Sequence, residues 1–158
     1  MNLDQFIRQE IKETDIVLDV GCGNRSGQNF KCSKIVSLDA WEAVNPDIVI
    51  DLNENSLPFL AGDFDTILMI DFIEHLDKGS GIKRIEEAIK IARSKVIVMT
   101  PLWWTDNKQN TENASLWCYK NPYNYHKSLW EIEDFKGFER IFNIAGLEKY
   151  FLGVFEHD

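Results

Sequence analysis

The chain is short of cysteine, of basic charge and of long apolar runs, and each shortage excludes something. Its three cysteines, Cys22, Cys32 and Cys118, are odd in number and form no C-x-x-C pair. They are expected as reduced thiols, which excludes a disulfide framework and points to a cytoplasmic protein. Seventeen Lys and Arg stand against 26 Asp and Glu, a formal net charge of -9. A surface that grips an extended phosphate backbone needs the opposite balance, so no extended nucleic-acid binding is expected. No apolar run approaches the roughly 20 residues of a membrane span. No basic segment followed by an apolar stretch is present at the start, so no signal peptide is expected. Internal repeats, low-complexity tracts and linkers are also missing. With 158 residues, 44% of them apolar, the chain suits one domain over 1–158. A domain of that size buries roughly 70% of its unfolded surface and needs no metal or disulfide staple.

What is present starts with a glycine turn. Ile16-Val17-Leu18-Asp19-Val20 reads as a buried strand, and Gly21-Cys22-Gly23 follows it directly. The next apolar strand, 34–38, ends on Asp39. Glycines at such a turn let a ligand approach the backbone, and a carboxylate at the second strand end accepts hydrogen bonds from a ribose diol. That combination predicts a nucleoside-cofactor site. Further continuous apolar runs at 47–50, 66–70 and 95–99 predict strands covered on both faces, as in a parallel sheet.

Helices are fewer. Leu3, Phe6, Ile7 and Ile11 predict an amphipathic helix over the first dozen residues. Ile82, Ile85, Ile89 and Ala92 predict the buried stripe of another, with Glu86 and Lys90 on its wet side. About ten residues after the glycine turn lead into the second strand, and about eight join the second to the third. A parallel crossover normally takes a dozen or more, so the helices after strands one and two are expected to be reduced. Residues 102–127 lack periodicity and are rich in Asn, Trp and Tyr, which predicts a lid or substrate loop. Beyond it, Ser128 is expected to cap a helix over 129–136 ended by Gly137. A hairpin of strands 138–144 and 149–155 around Ala145-Gly146 is expected to close the chain.

Four blocks carry a family resemblance. They are Leu18-Asp19-Val20-Gly21-Cys22-Gly23-Asn24 with Asp39 after it; 46–59, opening Pro46-Asp47-Ile48-Val49; 64–76, ending Ile73-Glu74-His75-Leu76; and Thr100-Pro101 closing a strand. In this order the chain resembles the class I S-adenosylmethionine-dependent methyltransferases over nearly its whole length. The resemblance implies an α/β, Rossmann-like, mostly parallel sheet of order 3-2-1-4-5-7-6 with a C-terminal antiparallel hairpin. It implies S-adenosylmethionine as cofactor and S-adenosylhomocysteine as product. It places Asp19, Gly21, Cys22 and Gly23 beside the methionine portion and Asp39 on the ribose. Ala40 and Trp41 then border the adenine, whose edge Asp51 and Leu52 contact. Asp71 and Phe72 fall near the sulfonium, and Trp103 and Trp104 fall in the acceptor pocket.

There are departures. The usual third glycine is Arg25, with Gly27 two residues later, and an Arg there can pair with the cofactor's carboxylate. Ala92-Arg93-Ser94-Lys95 replaces the usual glycine-rich turn before the fifth strand. His75 and His126 are the candidate catalytic groups, since imidazole titrates near neutrality. The plain reading of Glu74-His75 is that it starts the next helix, and of His126 that it ties the loop down. The Asn/Asp-Pro-Pro-aromatic motif of base-amino methyltransferases is missing, as is a Pro-Cys nucleophile. Asp71 lacks the paired Asp-Asn of the magnesium-dependent catechol group, so no metal is expected. The resulting expectation is methyl transfer to O or N of a small acceptor by a soluble protein, with a homodimer or complex partner allowed. Two rivals remain: a non-catalytic cofactor-binding or partner subunit, and a nicotinamide-dependent oxidoreductase. The second wants a full G-x-G-x-x-G and a longer first helix.

Overall fold

The structure, a computed structural model, describes residues 1–25 and 28–158; the expectation for Gly27 lies outside them. Helix α1, Leu3–Glu10, starts on a reciprocal cap in which Asn2 Oδ1 accepts from the Gln5 N–H and Gln5 Oε1 accepts from the Asn2 N–H, both at 2.9 Å. The strands are β1 (Ile16–Val20), β2 (Lys34–Asp39), β3 (Ile48–Val49), β4 (Phe64–Ile70), β5 (Ala92–Pro101), β6 (Glu139–Arg140) and β7 (Tyr150–Glu156). They form one sheet of order β3-β2-β1-β4-β5-β7-β6. The first five pair in parallel, and β7 runs antiparallel to both β5 and β6. The expected topology is therefore observed.

Alternation along each strand sends side chains to two separate cores. Leu18, Val20, Ile67, Met69, Val96 and Val98 face helix α2, Lys78–Ile91. Val17, Leu68, Ile70, Ile97 and Met99 face the other way, onto Phe6, Ile7 and Ile11 of α1 and onto Phe30. Among the described residues, that second face has no full crossover helix. Only single 3-10 turns, Gly23–Arg25 and Glu42–Val44, follow β1 and β2 among the described residues. The reduced helices expected from the short connections are thus present as one-turn elements.

Four expectations need correction. No helix forms over 129–136; only a 3-10 turn, Ile132–Asp134, is present. The cause is Trp130, which turns inward, is fully buried and packs against α2. The terminal antiparallel hairpin is present, with a turn at Ala145-Gly146 where the Leu147 N–H donates to Ile144 O at 3.1 Å, but its first strand is far shorter than the expected 138–144. β6 has two residues, and the chain leaves the sheet at Asn143 (φ 62°) to let the Ala145 N–H donate to Met1 O at 3.0 Å. Ile82 is exposed, and the buried side of α2 is Gly81, Arg84, Ile85, Ala88 and Ile91. Ala92-Arg93-Ser94-Lys95 is no turn but the start of β5, with a register shift opposite Phe64 and Thr66.

Gly81 is the contact on which the Trp130 anchor rests. A Cβ there would lie 2.6 Å from Trp130 Cζ2 and 3.1 Å from Cη2. Gly81→Ala gains about 1 kcal/mol of helix propensity but overpacks the ring at about 1–3 kcal/mol. Gly79, two residues earlier in the same helix, has nothing within 4 Å of its Cβ position. Thermal melting of the two variants is expected to move in opposite directions, Gly81→Ala down and Gly79→Ala up. Equal shifts would contradict the packing account.

Candidate functional site

The site lies at the carboxyl ends of β1, β2 and β4. Gly21 (φ 66°) and Gly23 (φ 52°) occupy left-handed backbone after β1. Each is also crowded: a Cβ on Gly21 would lie 2.3 Å from the Phe72 ring, and one on Gly23 would lie 2.8 Å from the Trp117 ring. Asp39, at the end of β2, braces the turn. Its Oδ2 accepts from the Gly23 N–H and its Oδ1 from the Trp41 N–H, both at 2.9 Å. Each oxygen keeps a lone pair for a ligand hydroxyl.

The loop after β3 forms the far wall. Arg84, buried in α2, donates to Leu52 O at 3.0 Å and also to Asn55 O, and pairs with Glu87 at 2.8 Å. Glu87 Oε2 in turn accepts from the Leu57 N–H at 3.0 Å. Asn53 exchanges hydrogen bonds with Asp77 at the start of α2. These contacts hold Asp51, Leu52 and Asn53 against a small cavity of about 80 Å³, which Asp39 and Ala40 also line.

A second cavity, about 470 Å³, adjoins the first. The two share Gly21, Gly23, Asp71, His75, Trp117 and Asn124, so they are one cleft that Trp117 divides. Ligand pockets run about 300–1,000 Å³, so the second is already large enough and the first is not. Asp71 takes a left-handed conformation (φ 49°) directly after β4 and opens onto the cleft. Burial within the cleft pushes its carboxyl up to about 6, against the pull of Arg25. Glu74 is fully buried; burial, then Asp71, hold it well above the usual carboxylate range. The two carboxyls hydrogen-bond each other, and Glu74 Oε2 accepts from Thr100 Oγ1 at 3.0 Å. His75 and His126 meet edge to face with ring centroids 4.8 Å apart. Burial, then His126, bring His75 down to about 4, and burial also lowers His126. Both are neutral imidazoles at physiological pH.

The expected site residues fall into three groups. Gly21, Gly23, Asp39, Ala40, Asp51, Leu52, Asp71, Phe72, His75, His126 and Trp103 line the cleft. Asp19 and Cys22 are fully buried beneath the turn and line neither cavity. Trp41 and Trp104 also stand outside both linings, and Trp104 is exposed. Arg25 is taken by Asp19, with Nη2 3.0 Å from Oδ1, and also donates to Gly21 O at 3.2 Å.

Several lining residues escaped the sequence reading: Glu74, Asn121, Tyr123, Asn124 and Tyr150. The Asn content of 102–127 was the signal for Asn121 and Asn124. Asn107 Nδ2 donates to Asn124 O and Asn124 Nδ2 to Thr111 Oγ1, each at 2.9 Å, and all three residues are buried. Satisfied amides thus give a segment without apolar periodicity its own polar core around α3, Lys108–Thr111. The segment is moored to the site where the Lys127 and Ser128 N–H groups donate to Glu74 O at 2.8 and 3.2 Å.

No family model and no curated protein matches the sequence. Solved structures do match. An S-adenosylmethionine-dependent methyltransferase from Archaeoglobus fulgidus aligns with a TM-score of 0.65 at 14% identity, covering 98% of this chain and 91% of its own. The fold is that of the class I methyltransferases. Magnesium protoporphyrin IX methyltransferase from Synechocystis, solved with bound SAH, aligns at 0.61 and 12%, over 98% and 80%. A methyltransferase from Haloferax volcanii, solved in complex with the Trm112 methyltransferase activator, aligns at 0.63 and 13%, over 96% and 86%. At these identities the likeness is one of fold. No described helix is long and apolar enough to cross a membrane.

Burial beneath the glycine turn makes one thiol inert. Burial, then Asp19 and Asp39, push Cys22 up to about 12. At pH 8 only about one molecule in ten thousand then carries its thiolate. Cys118 is buried and Cys32 is half-exposed. Alkylation of the native protein with iodoacetamide, mapped by mass spectrometry, is expected to label Cys32 first and Cys22 last. Early labelling of Cys22 would mean the turn opens.

Proposed function

We propose that the protein is a methyltransferase that uses S-adenosylmethionine and acts on O or N of a small acceptor. The observation that carries this reading is the divided cleft. A ribose-binding carboxylate, a crowded glycine turn and a braced polar loop face one half, and ionisable groups face the other. The residues fit the cofactor. Asp39 keeps acceptor capacity for the ribose hydroxyls, and Asp51, Leu52 and Asn53 offer polar atoms to an adenine edge. Gly21 and Gly23, having no side chains, offer bare backbone to the amino-acid portion once Trp117 has moved off Gly23. The cofactor, when bound, supplies an electrophilic methyl group, and the protein's own part is to position the nucleophile and exclude water. His75 and His126, both neutral, face the acceptor half and accept a hydrogen bond from a hydroxyl or amine there. Trp103, set edge-on to Tyr150 at 4.9 Å, forms an apolar wall for the acceptor. Full entry of an adenosyl group requires Trp117 to lift from Gly23. The 102–127 segment that carries it serves as the lid.

The Haloferax complex supports a partner-assisted form of the same reading, since that methyltransferase is bound to an activator.

The test is calorimetric titration with S-adenosylmethionine and S-adenosylhomocysteine, with NAD as control. Saturable binding of the first two is expected. Asp39→Ala removes charge-assisted hydrogen bonds of about 1.5–3 kcal/mol and is expected to weaken binding about 10- to 100-fold. A folded protein that binds neither sinks the reading, and one that binds NAD alone moves it to an oxidoreductase.

A further inference from the structure

We infer that Glu74, His75 and His126 bind a divalent first-row transition-metal ion at the floor of the larger cavity. Their ligand atoms all lie within 4.8 Å of one another. An ion with bonds of about 2.1 Å holds its donors roughly 3 to 4.3 Å apart, so small side-chain rotations close the set. The His75 Nε2 to Glu74 Oε1 separation, 3.8 Å, is already in that range.

The surroundings prepare each ligand. His75 Nδ1 lies 3.3 Å from Tyr125 O, an acceptor that orients the ring and leaves Nε2 with its lone pair toward the cluster. Thr100 Oγ1 donates to Glu74 Oε2 and leaves Oε1 to face His75. A backbone carbonyl behind an imidazole and a hydroxyl behind a carboxylate are the outer contacts that metal ligands use. Packing alone explains the edge-to-face imidazoles, but not a fully buried Glu74 that forms no ion pair with any described Lys or Arg. Such a carboxyl is costly unless a proton or a cation compensates it. A divalent cation supplies that compensation.

Two imidazoles with one carboxylate suit Mn, Fe, Co or Zn better than a hard, all-oxygen ion. The three ligands line the 470 Å³ cavity, so the remaining coordination positions open into it. This is the pattern of a site that takes a further ligand rather than a closed structural one. On the methyltransferase reading, that further ligand is an oxygen of the acceptor.

The site is tested without cofactor or acceptor. Chelator-stripped protein is titrated with Co2+, read by visible absorption, and with Mn2+, read by electron paramagnetic resonance. One saturable site is expected. Glu74→Gln and His126→Ala are each expected to weaken it at least about 100-fold, and Thr100→Val about 10- to 100-fold through the outer contact. His126 lies in the 102–127 segment outside the sheet, so His126→Ala keeps the test open if Glu74→Gln does not fold. Absence of saturable binding to the folded wild type overturns the inference. So does binding that is undiminished in a folded variant. S-adenosylhomocysteine titration of the same preparations separates the two readings. Metal binding without it leaves the ion site and removes the methyltransferase, and the converse result does the reverse.

Discussion

Glu74 holds the two halves of this molecule together. Its backbone carbonyl accepts the Lys127 and Ser128 N–H groups and so moors the long segment after β5. Its carboxyl, fully buried, hydrogen-bonds Thr100 on β5 and Asp71 at the end of β4. One residue therefore fixes the sheet end, the covering segment and the chemistry of the cavity between them. A buried carboxyl is costly unless its neighbours satisfy it, and the groups that satisfy it are the ones that line the cleft.

The same economy shapes the smaller half of the cleft. Asp39 accepts from the Gly23 and Trp41 N–H groups, so the carboxylate proposed for the ribose is also a structural tie between the turn after β1 and the end of β2. The buried Arg84 plays the matching part for the loop after β3. With only one-turn elements after β1 and β2 among the described residues, hydrogen bonds of this kind brace this edge in place of helix packing. The second sheet face is covered by α1 and by loops, including the stretch whose Ala145 donates to Met1 O.

The fold was legible because its strands are short, dense runs of β-branched and apolar residues, and the glycine turn and Asp39 sit at their ends. The tail misled for a physical reason. Residues 129–136 lie between a capping Ser128 and a terminating Gly137, but Trp130 is drawn into the slot over Gly81 and a helix of two turns is marginal by itself. Ile82 misled likewise, because the true buried stripe includes Arg84, which is satisfied by Glu87 on the same helix and by the distant carbonyls of Leu52 and Asn55.

Local periodicity and turn chemistry in the sequence were enough to mark the main strands, the glycine turn and the acidic residue at the end of β2, whereas the sheet order came from the resemblance of four sequence blocks to a known family. Only the tertiary structure decided which residues meet. Arg25 goes to Asp19, Trp117 lies on Gly23, and Asn107, Thr111 and Asn124 become a buried core. His126 comes to His75 across 50 intervening residues. Such contacts depend on where hydrogen bonds with no local periodicity find partners, and one-dimensional spacing carries no record of that.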